Sequence, residues 1–159
     1  MKIFETSHFM VESPEKPHVT RADGGHIKIS PKVWLIDRQK LSPEQSVELA
    51  WLTDLIGEAF LRGMKKQGIE LGRINYQDNS NWTCLKPTGP YLHIHLYGRA
   101  IDANIQPYGQ SLNFPHGDEF PEFYANNEPL NTDDIESIIF EIENLLKENN
   151  RYDKEKWKF

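Results

Sequence analysis

The run Tyr91-Leu92-His93-Ile94-His95-Leu96-Tyr97-Gly98-Arg99 is where this chain could do chemistry. It alternates polar and apolar residues, and successive side chains of a strand point to opposite faces. Tyr91, His93, His95, Tyr97 and Arg99 therefore share one face, and Leu92, Ile94 and Leu96 form a core face. Two imidazoles two residues apart, with a guanidinium beyond, make a compact group able to hold a phosphate. A neutral imidazole near pH 7 is also a nucleophile toward activated phosphorus and a proton donor to a leaving group. His26-Ile27-Lys28-Ile29-Ser30 obeys the same rule, with His26, Lys28 and Ser30 on its polar face. If the two strands are neighbours, their polar faces merge. Spacing alone leaves two other readings open: an exposed sheet face, or a metal held by His93, His95 and a third ligand such as His26 or His116.

These residues need a scaffold to position them. Lys2–Glu5 and His8–Glu12 are expected as short strands, followed by a connection through Pro14 and Pro17 and a turn at Asp23-Gly24-Gly25. A long helix begins clearly. Ser42 suits its N-cap, Pro43 its first position, and Gln45 completes a capping box. Leu49, Leu52, Ile56, Phe60 and Met64 recur at helical spacing, Gly57 and Gly63 weaken or bend the helix, and Gly68 stops it. Leu71–Gln77 is expected as a strand, residues 78–90 as a polar loop, and Tyr91–Arg99 as the best strand of the chain. Residues 102–131 read as irregular, with Tyr108, Phe114, Phe120, Phe123 and Tyr124 packing them onto the sheet. A last helix starts near Asn131 or Thr132, with Asp133 and Asp134 at its positive end and a stripe of Ile135, Ile138, Ile139, Ile142, Leu145 and Leu146. It docks on the core or forms a homodimer interface. The fold class is α+β: an antiparallel sheet of about five strands packed by one long helix, plus a C-terminal helix.

Composition narrows the function classes. A chain of 159 residues, 38% hydrophobic and 11% aromatic, suits one packed domain over 1–159. No apolar stretch approaches the roughly 20 residues of a spanning helix, so no membrane partner is expected. The net charge of −6 sits mostly in residues 117–149, which hold ten acids and one base. No Lys/Arg stripe with interleaved aromatics appears, which argues against polymeric nucleic acid. Cys84 stands alone and without a His/Asp partner set. It fits a reducing, cytoplasmic setting and no disulfide.

Gly25-His26-Ile27-Lys28-Ile29-Ser30-Pro31-Lys32 resembles the Gly-His-x-apolar-x-x-Pro-Lys segment of the histidine-triad superfamily. That superfamily continues with a long helix, a strand, a polar loop and a strand bearing three alternating histidines and an arginine. This chain has those elements in that order over about residues 8–100, with the segment around the helix at 131–149 as an extension. Its triad is incomplete. His93 and His95 are either the first two members, with Tyr97 third, or the last two, with Tyr91 first. The family's arginine lies four residues after the third histidine, the spacing of His95 and Arg99, which favours the second register.

The resemblance implies a hydrolase or nucleotidyl transferase acting on a dinucleoside polyphosphate or nucleoside phosphoramidate. His93 would attack the α-phosphate, and His95 would bind the phosphoryl oxygens or assist the leaving group. His26, Tyr91, Asn75, Asn81 and Arg99 would bind substrate, Gln77 and Asn79 being further amide candidates of the same region. The family needs no metal and no cofactor, because positioned donors take up the developing charge. Two rival readings are a non-catalytic nucleotide-binding module, with Tyr91 marking the lost activity, and a cupin-like metal protein.

Overall fold

The computed structural model describes residues 1–84, 86–148 and 150–158, with the side chains of all but Asn81 and Asn150. Five strands, β1 (Lys2–Glu5), β2 (Phe9–Glu12), β3 (His26–Pro31), β4 (Leu71–Gln77) and β5 (Ile94–Ala100), form one sheet in the order β1-β2-β3-β5-β4. Every neighbouring pair is antiparallel. A single open sheet covered by helices is the α+β architecture expected, and it is not the double-sheet roll of a cupin.

The helix α1 (Pro43–Lys66) forms for the reasons its sequence gives. The Ser42 hydroxyl accepts from Gln45 N at 3.1 Å, and Gln45 Oε1 accepts from Ser42 N at 2.8 Å. Its apolar positions bury Leu49, Leu52, Leu55, Ile56, Phe60 and Met64 in one core with Ile27, Ile29, Ile94 and Leu96 of the central strands. Gly63 also serves a packing contact. A Cβ there would lie 2.7 Å from Ile138 Cγ1, so the glycine lets α3 (Thr132–Glu148) approach closely. Helix α3 buries Ile135, Ile138, Ile142 and Leu145 against α1 and leaves Leu146 39% exposed. It therefore docks on the core. Its first turn is held by Arg21, which donates to both oxygens of the fully buried Asp134 at 2.6 and 2.8 Å.

Two segments differ from expectation. The strand expected from Tyr91 begins at Ile94, because Leu92 N donates to Leu35 O rather than joining the ladder. Residues 102–131 contain a short helix, α2 (Pro121–Ala125), and end near α3. This segment lies over the polar face of the sheet as a strap. Asp23, 2% exposed, accepts from the backbone N–H groups of Asn104, Ile105 and Gln106 at 3.0, 2.7 and 2.6 Å. Arg99 donates to the carbonyls of Gln106, Pro107 and Gln110. A last helix, α4 (Lys154–Trp157), follows a turn whose Tyr152 carbonyl accepts from Trp51 Nε1 at 3.1 Å.

Candidate functional site

Strand register gathers the polar residues. His26 lies opposite Tyr97 and Lys28 opposite His95 across β3–β5, while Asn75 lies opposite Tyr97 and Gln77 opposite His95 across β4–β5. Directly paired residues share a face, so the polar faces of β3 and β5 do merge. The rings follow one another along it: Tyr91 stacks on His93 at 4.4 Å, His93 meets His95 at 4.5 Å, and His95 lies parallel to Tyr97 at 5.3 Å.

Hydrogen bonds assign the proton on each imidazole. The backbone N–H of His18 donates to His26 Nδ1 at 3.2 Å, so His26 carries its proton on Nε2. That nitrogen donates to His95 Nδ1 at 2.7 Å, which puts the His95 proton on Nε2. His95 Nε2–H is buried and has no partner among the described residues. The buried Tyr97 hydroxyl accepts from Asn79 Nδ2 at 3.2 Å and donates to His18 Nδ1 at 2.7 Å. His93 stands apart from this chain. Its Nδ1–H donates to the Tyr91 carbonyl at 2.9 Å, which leaves a lone pair on Nε2.

Burial keeps these rings neutral at pH 7. It pushes His95 down to about 2 and His18 to about 4, with the neighbouring imidazoles and Lys28 adding to the effect. His26 is held well below its ordinary value by the same causes. His93 is lowered by burial, against an opposing contribution from the Tyr91 carbonyl. Burial raises the Tyr97 phenol, which stays protonated.

A cavity of about 290 Å³ opens onto this group, lined by His18, His26, Lys28, Asn79, Tyr91, His93 and His95 among others. Lys28 is paired with Glu12 at 2.8 Å. Of the residues singled out in the sequence, His26, Lys28, Asn79, Tyr91, His93 and His95 meet here. Asn75 and Arg99 do not line the cavity; they contact one another at 3.4 Å, and Arg99 holds the strap. The Asn81 side chain lies outside the described residues. His116 lines a neighbouring cavity instead. His18 is the residue that sequence reasoning missed. It stands in a Pro-flanked connection with no periodicity, so nothing local signalled that it would reach β3 and β5.

His18, His26 and His95 bring ring nitrogens within 4.8 Å of one another, close enough to suggest a metal site. Their hydrogen bonding does not suit one. A metal ligand must offer a lone pair, and His26 Nε2 carries a proton because Nδ1 already accepts from the backbone. As arranged, the cluster is a chain of donors.

The chain matches no family model and no curated protein sequence. Solved structures do match. A zinc-bound histidine triad family protein from Mycobacterium smegmatis superposes with a TM-score of 0.58 at 18% identity, over 92% of this chain and 86% of that one. A hypothetical histidine triad nucleotide-binding protein from Sulfolobus tokodaii gives 0.58 at 16% identity, over 93% and 87%. A Hit-like protein from Bartonella henselae gives 0.54 at 16% identity, over 88% and 85%. At such identities the common property is the arrangement of the backbone: this chain has the histidine-triad fold.

Proposed function

We propose that the protein binds a nucleotide by its phosphates and hydrolyses or transfers the nucleotidyl group, with His93 as nucleophile. One observation carries the reading: His93 Nδ1–H is held by the Tyr91 carbonyl, so Nε2 has a free lone pair beside the unpartnered His95 Nε2–H. The Sulfolobus tokodaii neighbour, described as nucleotide-binding, supports the ligand class.

In this reading His93 Nε2 attacks the α-phosphorus of a dinucleoside polyphosphate or nucleoside phosphoramidate. A P–N bond forms, and the bond to the leaving group breaks with its electron pair going to that group. The imidazole becomes positively charged, and the Tyr91 carbonyl stabilises the N–H that remains. His95 Nε2–H donates to a non-bridging oxygen, where negative charge builds up. Water, or another hydroxyl acceptor, then attacks phosphorus and gives up its proton to solvent, and the P–N bond breaks with its electron pair returning to Nε2. His26 is a positioning residue that fixes the His95 tautomer.

A non-catalytic nucleotide-binding module is the second reading, favoured by Tyr91, which supplies a stacked phenol where the family has an imidazole. The deciding experiment incubates the protein with dinucleoside polyphosphates and phosphoramidates, follows nucleoside monophosphate release, and maps any trapped adduct by mass spectrometry. An adduct on His93 supports the proposal. Raised melting temperature with monophosphates but no turnover on any substrate supports the module. Unchanged melting with millimolar AMP, GMP, CMP and UMP removes the nucleotide reading.

A further inference from the structure

A second cavity, of about 800 Å³, adjoins the first and falls in the size range of small-molecule sites. The two share Lys16, His18, Trp82 and Lys86 as walls. Glu15 and Asp118 line only the larger one, as does Tyr124. Charge is therefore segregated: both cations stand at the junction with the histidines, and the acids stand beyond it. Trp82 and Tyr124 both approach the His18 ring, at 5.3 and 5.9 Å. Neither ring is spent in the core, since Trp82 is 38% exposed and Tyr124 half-buried. The strap keeps this wall in place. Asn127 Nδ2 donates to the carbonyls of Pro17 and His18 at 3.1 Å each, and the Tyr124 hydroxyl donates to Pro115 O at 2.7 Å.

We infer that the larger cavity seats a planar ring bearing N–H donors, stacked against Trp82 and Tyr124, while Lys16 and Lys86 meet the negative charge that joins this ring to the phosphorus at His93. The inference rests on the nucleotide reading and deepens it, assigning the ring to residues of the strap and of the loop after β4. Aromatic faces take such rings irrespective of ring identity. Glu15 and Asp118 accept from the ring's amino groups and repel a second phosphate, which fixes the direction of the ligand across the junction.

The test measures AMP and ribose 5-phosphate affinities by calorimetry for the wild type, Trp82→Ala, Trp82→Phe and Tyr124→Leu. Loss of either ring should weaken AMP about tenfold or more, leave ribose 5-phosphate unchanged, and be largely restored in Trp82→Phe. Wild-type AMP affinity in both ring-loss variants would overturn this inference and leave the nucleotide reading standing. Equal losses of both ligands, in variants that melt like the wild type, would overturn it too. A wild type that binds neither ligand would overturn the nucleotide reading along with it.

Discussion

Acid should unfold this protein, and the buried imidazoles determine how steeply. His18, His26 and His95 are each held neutral chiefly by burial, His18 down to about 4 and His95 to about 2. In the unfolded chain all three titrate near about 6.5. Below that pH the unfolded state binds protons that the native state does not, so stability is complete above it and is lost as pH falls. Each group contributes at most about 1.4 kcal/mol per pH unit, so three approach about 4 kcal/mol per unit near pH 5. Because the unfolded rings are only partly protonated near pH 7, the step from pH 7 to 5 removes about 5 kcal/mol, comparable to the roughly 5–15 kcal/mol that holds a domain together. His93, lowered as well, acts in the same direction. Urea unfolding at pH 7, 6 and 5 reads this directly from the midpoints. His26→Gln should reduce the pH slope by about a third, whatever it does to stability at pH 7. Equal midpoints at pH 7 and 5, or an unchanged slope in that variant, would refute the assignment of neutral buried rings.

His93→Ala should lose nearly all turnover yet keep nucleotide binding, while His95→Ala should lose about 10²–10⁴-fold; an adduct trapped on His95 instead would move the nucleophile and put Tyr97 in the substituted triad position. Asp23→Ala should strip three strap N–H groups of their acceptor. At about 1 kcal/mol or more for each buried group and about 3 °C per kcal/mol at this length, melting should fall by about 9 °C, and a fall within 2 °C of zero would show the strap to be held by other means. Turnover should survive dialysis against a chelator, and one tightly bound zinc per chain, lost in His26→Ala, would contradict the proton positions assigned to the histidines.

The parts of the fold that depend on local rules were legible in the sequence. Ser42, Pro43 and Gln45 marked the start of α1 because a capping box is a contact between residues three apart. The alternation through His95 and Tyr97 placed them on the polar face because the strand period is two. The spacing of His95 and Arg99 favoured the triad register with Tyr91 first, because the family's arginine lies four residues after its third histidine. The rest depended on distant partners. Arg99 looked like a phosphate ligand, yet its guanidinium meets carbonyls seven to eleven residues later, in a segment with no periodicity. His18 joins the site through Tyr97, 79 residues away. Gly63 looked like a weakness until Ile138 was seen beside it.

Helix α1 is buried on two sides, and this bears on the order in which the chain can close. One side faces β3 and β5; the other holds Trp51 and Gly63 against Tyr152 and Ile138. The first hundred residues contain all five strands and the candidate nucleophile, but they leave the second side of α1 bare. A fragment ending there would present a water-facing apolar groove along a 24-residue helix, and such grooves promote aggregation. Closure waits for residues about 75 to 100 positions downstream of those they cover, and long-range closure of this kind slows folding. During synthesis the first hundred residues therefore pass through an interval in which the sheet can pair while its central helix is still half-uncovered. A chaperone that recognises exposed apolar helix faces would find its target in that interval and lose it when α3 docks.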